Sequence, residues 1–257
     1  MSVKNQILVL ILFLSASSIM AQDKGRFSLT FEYGAKNASS TLNDNWAVRQ
    51  DVGAYSSTDY GVNNRVDVRN SINSFGIKPE YGFFDNKLWA SSGIRVTNVS
   101  AEMMKFDYDE GGYFFLRYKS EGTTTEYAKV NKINEHTNYI GVPLELSFSP
   151  FWYRNFDFYA KIGAELGFKL SSKTNIEFRD AAMAGYEQTV IDNVGVSVNS
   201  YYSTVYGSIG AKYHLSNKLN CSFEVLLPIA MLTKNNSSLV ELSQVAGVQF
   251  SLSVPLK

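Results

Sequence analysis

The chain reads as an all-β protein, an eight-stranded antiparallel up-and-down transmembrane β-barrel with long extracellular loops. Three observations predict it. A short apolar segment near the N-terminus has the grammar of an export signal. Eight later stretches alternate apolar and polar residues, giving each strand one greasy face and one wet face. The connections between them run long, short, long, short, so one end of the assembly is plain and the other elaborated. In an exported chain this combination points to a barrel whose outer surface meets lipid and whose interior is polar.

The export signal comes first. Lys4 supplies a positive start, Ile7 to Leu14 is an unbroken apolar run, and the small residues Ser15 to Ser18 lead to a cleavage site after Ala21. Residues 1–21 are therefore expected to leave, with 22–257 forming the barrel domain. The apolar run is too short for a membrane-spanning helix, which needs about 20 residues. No comparable stretch follows Gln22, so a helical membrane protein is excluded. The sole cysteine, Cys221, leaves no intrachain disulfide to build on. Lys plus Arg and Asp plus Glu each total 24, so no basic footprint argues for nucleic acid. Aromatic residues make up 14%, nearly all of them Tyr and Phe, and barrels place such rings at the two water–lipid boundaries.

The strands follow in order. Phe27, Leu29, Phe31 and Tyr33 alternate with Ser28, Thr30, Glu32 and Gly34. Phe75, Ile77, Pro79, Tyr81 and Phe83 alternate with Ser74, Gly76, Lys78, Glu80 and Gly82. Leu88, Ala90, Ile94 and Val96 oppose Trp89, Ser91, Gly93, Arg95 and Thr97. Ile140, Val142, Leu144, Leu146 and Phe148 oppose Tyr139, Gly141, Pro143, Glu145 and Ser147. The clearest strand is Phe156 to Leu170, where Phe158, Ala160, Ile162, Ala164, Leu166 and Phe168 face away from Tyr159, Lys161, Gly163, Glu165 and Lys169. A helix would also align Lys161, Glu165 and Lys169, but the two glycines, Gly163 and Gly167, and the period-2 apolar set decide for a strand. Val205, Ile209, Ala211, Tyr213 and Leu215 oppose Tyr206, Ser208, Gly210, Lys212 and His214. Leu219, Cys221, Phe223, Val225, Leu227 and Ile229 oppose Asn220, Ser222, Glu224, Leu226 and Pro228. Val248, Phe250, Leu252, Val254 and Leu256 oppose Gly247, Gln249, Ser251 and Ser253.

The short connections at 84–87, 149–155 and 216–218 carry turn chemistry, and with both termini at their end they are periplasmic. Connections near 36–70, 100–137, 171–200 and 233–238 face outward. An extra extracellular hairpin is expected around Tyr113–Lys119, between turn signals at Glu110-Gly111-Gly112 and Glu121-Gly122. Ten strands is the alternative, should that hairpin enter the membrane. Pro79, Pro143 and Pro228 lie inside strands and are expected at local bulges. A soluble β-sandwich is the competing architecture. It would bury the apolar residues and turn the ionic ones to water.

The inward positions collect Glu32, Glu80, Glu145, Glu165 and Glu224 against Lys78, Arg95, Lys161, Lys169 and Lys212. A barrel of eight strands is just wide enough to be filled by side chains. Five acids meeting five bases inside it are expected to form a paired plug. A narrow, gated ion path lined by the same groups is the alternative.

The chain resembles the small outer-membrane β-barrel family, which includes OmpA-like, OmpX-like and PorT-like barrels. The resemblance covers residues 23–257. Its most specific stretch is Tyr139-Ile140-Gly141-Val142-Pro143-Leu144-Glu145-Leu146, similar to an apolar strand with a central Pro-Leu in PorT-like sequences. It implies residence in the bacterial outer membrane and insertion by the barrel assembly machinery. It does not imply one function, because members are structural, adhesive or accessory to secretion. The chain departs from the family at its end: Val254-Pro255-Leu256-Lys257 lacks the terminal aromatic residue, and Phe250 is the last one.

Enzymatic chemistry finds little support. His214 falls inward near a short turn, where a polar plug contact explains it. His136 falls at the outer rim, and its neighbour Thr137 points to the opposite face, so a lipid A deacylase pairing of base and nucleophile is not visible. Asp107, Asp109 and Glu110 lack calcium-loop spacing, and no metal or cofactor motif occurs. Cys221 reads as an apolar filler. The expectation is a non-enzymatic barrel embedded in outer-membrane lipid, its role carried by the loops through an extracellular ligand. Trp46, Tyr55, Tyr60, Tyr186, Tyr201 and Tyr202 are the amphipathic rings available for that contact. A narrow channel or secretion accessory is the alternative, and a lipid A-modifying enzyme the minor one.

Overall fold

Alternating stretches pair in antiparallel register into a ring without a free edge. The computed structural model describes residues 26–49, 66–85, 87–105, 112–121, 124–216 and 218–256. The export signal, Tyr55, Tyr60, Asp107, Asp109 and Glu110 lie outside the described residues. In chain order the strands are β1 (Arg26–Leu42), β2 (Val66–Phe83), β3 (Leu88–Ser92), β4 (Ile94–Lys105), β5 (Phe114–Glu121), β6 (Thr124–Tyr153), β7 (Phe156–Phe178), β8 (Tyr201–Ser216), β9 (Leu219–Met231) and β10 (Val240–Leu256). A short 3-10 turn at Ala181–Tyr186 leads into the helix α1 (Glu187–Val194), which ends at Gly195 with φ 67. Each strand pairs with its neighbour around the ring, and β1 closes it by pairing with both β2 and β10.

Ten strands make eight staves. β3 and β4 both lie between β2 and β6, and together they form one stave interrupted at Gly93. β5 stands off the ring, pairs with the outer part of β6 as the extra hairpin of the sequence reading, and is bridged through Leu116 to Val48 in the segment after β1.

The interruption has a cause in the neighbouring strands. Pro79 on β2 and Pro143 on β6 flank it on either side, and a proline has no N–H to give the ladder. The backbones close in there: a Cβ on Gly93 would stand 2.1 Å from the carbonyl oxygen of Ile77. The bulges expected at Pro79 and Pro143 are therefore replaced by a break in the stave between them. Only Pro228 sits in a bulge, where the register of β9 slips against both β8 and β10. That slip flips the phase, so Ile229 is buried and Pro228 exposed, the reverse of the sequence expectation.

The staves run further outward than the sequence suggested. Segments taken as loops, 36–42, 66–70, 100–105, 124–137 and 171–178, are continuous wall. Along them the alternation persists while its chemistry reverses. At the level of Phe31, Ile77, Val96, Val142, Ile162, Ile209 and Phe250 the exposed face is apolar and the buried face polar. Further out, the outward-facing positions become polar, with His136, Lys173 and Asn175 exposed and Asn98 and Ser100 half-buried, and the buried ones include Val99, Ala101, Met103, Ile133 and Ile176. The apolar band on β6, Ile140 to Phe148, matches the about 9–11 residues a tilted strand needs to cross hydrocarbon. Rings crowd the short-turn edge of that band, where Phe84, Phe151, Trp152, Tyr153 and Phe156 are exposed. Tyr33 and Tyr201 stand exposed at the far edge. A closed barrel with an outward apolar band between two sets of rings is built for the bacterial outer membrane.

Candidate functional site

Inward positions on the eight other strands of the ring gather around Arg95 of β4. Its Nε donates to Glu32 at 2.6 Å, one terminal nitrogen to Glu145 at 2.7 Å, and the other to Glu165 at 2.8 Å and to the Tyr206 hydroxyl at 3.0 Å. Lys78 bridges Glu32, at 2.6 Å, to Glu145. Lys161 joins Glu145 at 3.3 Å to Glu224 at 2.7 Å. Polar neighbours take the remaining lone pairs: Gln249 donates to Glu32, Thr97 to Glu165, Ser91 to Glu145, and Tyr159 and Ser208 to Glu224. Arg95 is 1% exposed. Each charge thus finds both an opposite charge and hydrogen bonds, the condition under which buried ions are tolerated.

Seven of the ten charges picked out in the sequence meet here: Glu32, Lys78, Arg95, Glu145, Lys161, Glu165 and Glu224. Glu80 and Lys212 form a separate pair at 3.5 Å nearer the periplasmic mouth, with Lys212 also over the Trp89 ring. Lys169 takes no part. It keeps the inward phase but lies further out along β7 than Glu165, at the outer mouth, where it donates to the Val198 carbonyl at 2.6 Å. Four carboxylates therefore face three cations in the hub. Lys36 is also buried, on the inward face of β1 beyond Glu32. The sequence reading missed it because it ended that strand at Gly34. Tyr159, Tyr206 and Gln249 were on its inward face but not recognised as parts of one network. At the periplasmic end His214 bridges Asn220 and Asp157, each at 2.8 Å.

A second closure sits above the hub. The β9–β10 connection, expected as an outward polar loop at 233–238, turns into the barrel mouth, and Asn236, Ser237 and Ser238 are buried. Local side-chain bonds make that possible. Ser237 Oγ accepts from the amides of Leu239 and Val240, Asn236 and Thr233 bond each other, and Ser238 gives its amide and hydroxyl to Glu135. Glu135, also 1% exposed, receives Thr174 as well. Trp46, expected as a loop ring open to partners, is instead 2% exposed, with its indole N–H on the Ser238 carbonyl at 2.9 Å. Around it Met103, Phe114, Leu116, Ile133, Val190 and Leu239 form an apolar core outside the membrane level. Tyr202 likewise is buried, its ring 5.4 Å from that of Tyr139. Tyr186 and Tyr201 remain exposed.

The outer face of the wall holds one pairing the sequence hid. His136 lies on β6, not in a loop, and its Nδ1 is 2.8 Å from Ser100 Oγ on β4. Thr137, its chain neighbour, is buried on the opposite face. The serine comes from another strand, which no local spacing could show. Ser100 also donates to Asn98 Oδ1 at 2.7 Å. Among the described residues no group of His, Cys, Asp or Glu could hold a metal.

No family model matches the chain. No curated protein matches it either. Its fold is similar to the outer-membrane protein OprG of Pseudomonas aeruginosa, at 12% identity over 92% of this chain and 98% of that one, with a TM-score of 0.40. Ail, the attachment invasion locus protein of Yersinia pestis, is 12% identical over 90% and 99%, with a TM-score of 0.35. The translocator domain of the autotransporter NalP from Neisseria meningitidis is 8% identical over 97% and 95%, with a TM-score of 0.25. Likeness at this level transfers no role. What the chain can do rests on its own ring closure, apolar band and two closures of the lumen.

Proposed function

We propose that this chain is a non-enzymatic barrel of the outer membrane whose role lies outside the bilayer, where a folded cap serves surface recognition or adhesion. One observation carries the reading: the interior inverts from ionic to apolar just above the lipid band. A connection that merely joins strands needs no hydrophobic core. A surface that must present a fixed shape gains from one, because rigid presentation lowers the ordering cost of binding. Outer-membrane lipid surrounds the band, the assembly machinery inserts it, and the ligand meets the cap. The Tyr139–Leu146 stretch is our ground for grouping it with PorT-like barrels.

Replacing residues 181–194 by a short flexible linker tests this. The barrel should still show heat-modifiable gel mobility, while cells carrying it lose attachment to immobilised matrix proteins and glycans. Equal attachment with and without those residues would sink the proposal. Purified barrel in planar bilayers should give no steady conductance. A stable open state would favour the channel reading instead. The lipid A-modifying alternative has one observation in its favour, the Ser100–His136 pair just beyond the apolar band. Membranes from a Ser100→Ala strain should carry unchanged lipid A acylation, and a loss of deacylated species would overturn the non-enzymatic reading.

A further inference from the structure

The cap contains a pocket of about 490 Å³ between β5, α1 and the segment that follows β1. That volume falls in the range of small-molecule sites, about 300–1,000 Å³. Its floor is apolar and rigid: Leu116 and Val190, both buried, belong to the core that surrounds Trp46. Its wall is a ring pair, Tyr118 and Tyr186, with centroids 5.6 Å apart and planes at 62°. Two bonds hold Tyr118 in place. Its hydroxyl donates to the Glu126 carboxylate, and its carbonyl accepts from Asn193 at 3.0 Å. The hydrogen bond to Glu126 also pushes the Tyr118 hydroxyl above its ordinary range, so the ring stays neutral. Backbone bonds from Arg117 to Ala47 and from Arg49 to Phe115 tie the two sides of the pocket together.

Among the described residues the lining contains one charged side chain, Arg117, and no acid. Among these residues, the Arg117 guanidinium makes no hydrogen bond or ion pair, and neither the Asn45 side-chain amide nor the Thr189 hydroxyl is hydrogen-bonded. Apolar floor, aromatic wall, lone cation and unused polar groups at the rim together define a ligand. We propose that this pocket binds a small organic carboxylate with an apolar body, its ring or chain on Leu116 and Val190 and its anionic end on Arg117. A guanidinium matches a carboxylate in charge and in forked geometry. The inference rests on the cap being the working part of the molecule, and it adds the chemistry of what the cap takes.

Calorimetric titration of the full barrel in nanodiscs tests it, with phenylacetate, its neutral isostere phenylacetamide, and glucuronate as probes. Phenylacetate should bind at least about tenfold more tightly than either of the others. Arg117→Gln should erase the preference over phenylacetamide, and Tyr186→Ala should weaken phenylacetate about tenfold. Both substitutions lie at the exposed cap surface, and gel mobility verifies that each variant is folded. Equal binding of the acid and its amide, tighter binding of glucuronate, no binding of phenylacetate, or indifference to both substitutions would overturn the proposal. If phenylacetate fails while the variant lacking 181–194 still loses cell attachment, the ligand class is wrong and the cap's role stands. If attachment survives that replacement, the role itself is wrong, whatever the titration gives.

Discussion

The barrel has two interiors made by one alternation. Within the lipid band, the residues that point inward on β4 and β6 are Arg95, Thr97, Glu145 and Pro143. Further out on the same faces, β4 presents Val99, Ala101 and Met103, and β6, past the hydrogen-bonded Thr137 and Glu135, presents Ile133. The backbone phase of β4 and of β6 does not change between the two levels. The solvent does. Where lipid wets the outside, apolar side chains must face out, and the inside can hold ions provided they pair. Where water wets the outside, the hydrophobic effect drives the greasy face in, as in any soluble domain. The lesson is that the boundary of the bilayer is written in the sequence as an exchange of residue types, not as a change of strand.

This comparison predicts unequal costs. Removing the hub should hurt most. Arg95→Ala leaves Glu32, Glu145 and Glu165 facing one another without their guanidinium, and breaking a buried ionic network in this way costs about 3–5 kcal/mol. The urea midpoint of the barrel in bilayers, read by gel mobility, should fall accordingly. Adding Glu165→Gln should recover part of the loss, because it withdraws one unpaired charge. An unchanged midpoint in the single variant would show that the hub is not a closed network.

Truncation in the outer interior comes next. Ile133→Ala should cost about 2–5 kcal/mol, the sum of lost transfer energy and the cavity left in a packed core. Ile162→Ala, on the lipid face and 66% exposed, should cost less, because acyl chains refill the space and only the transfer share is lost. Equal midpoints for the two variants would mean that the outer interior is not packed like a protein core.

Charge insertion locates the edge between the two regions. Val142→Lys, in the middle of the apolar band, should destabilise by about 2–4 kcal/mol, whereas Asn134→Lys, further out on the same face of β6, should stay within about 1 kcal/mol. Similar losses at both positions would place the outer wall inside the membrane and remove the cap from water.

Much of the lower region was legible in the sequence because its alternation is strict and its outward residues are uniformly apolar. Parity alone put Glu32, Lys78, Arg95, Glu145, Lys161, Glu165 and Glu224 on the inside. It could not reveal that they share one hub, since that depends on which strands meet across the lumen. The upper region was obscured by three physical facts. Bulges at Leu170, at Ser243-Gln244 and at Pro228 shift the phase beyond them, and the last turned Ile229 inward. The exchange of residue types made wall segments such as 124–137 look like polar loop. Buried serines and an asparagine at 236–238 look like loop residues in sequence, because nothing local shows that Glu135, about a hundred positions earlier in the chain, waits to receive them.

The smallest effect belongs to the periplasmic mouth, and it sharpens the comparison from below. Glu80 and Lys212 are separated by 3.5 Å, and 14% of each side chain reaches solvent, so they resemble the hub in type but not in isolation from water. Water shares the solvation of both ions there, and the pair's Coulomb attraction is correspondingly weak. Lys212→Met keeps much of the stem's packing against Trp89 while deleting the charge. It should shift the midpoint by about 1 kcal/mol or less, against several for Arg95→Ala, and raising the salt concentration should shrink that difference further. A loss as large as that of Arg95 would mean that the ionic interior is sealed down to its periplasmic end, and that depth of burial, not pairing, sets the cost of a missing charge.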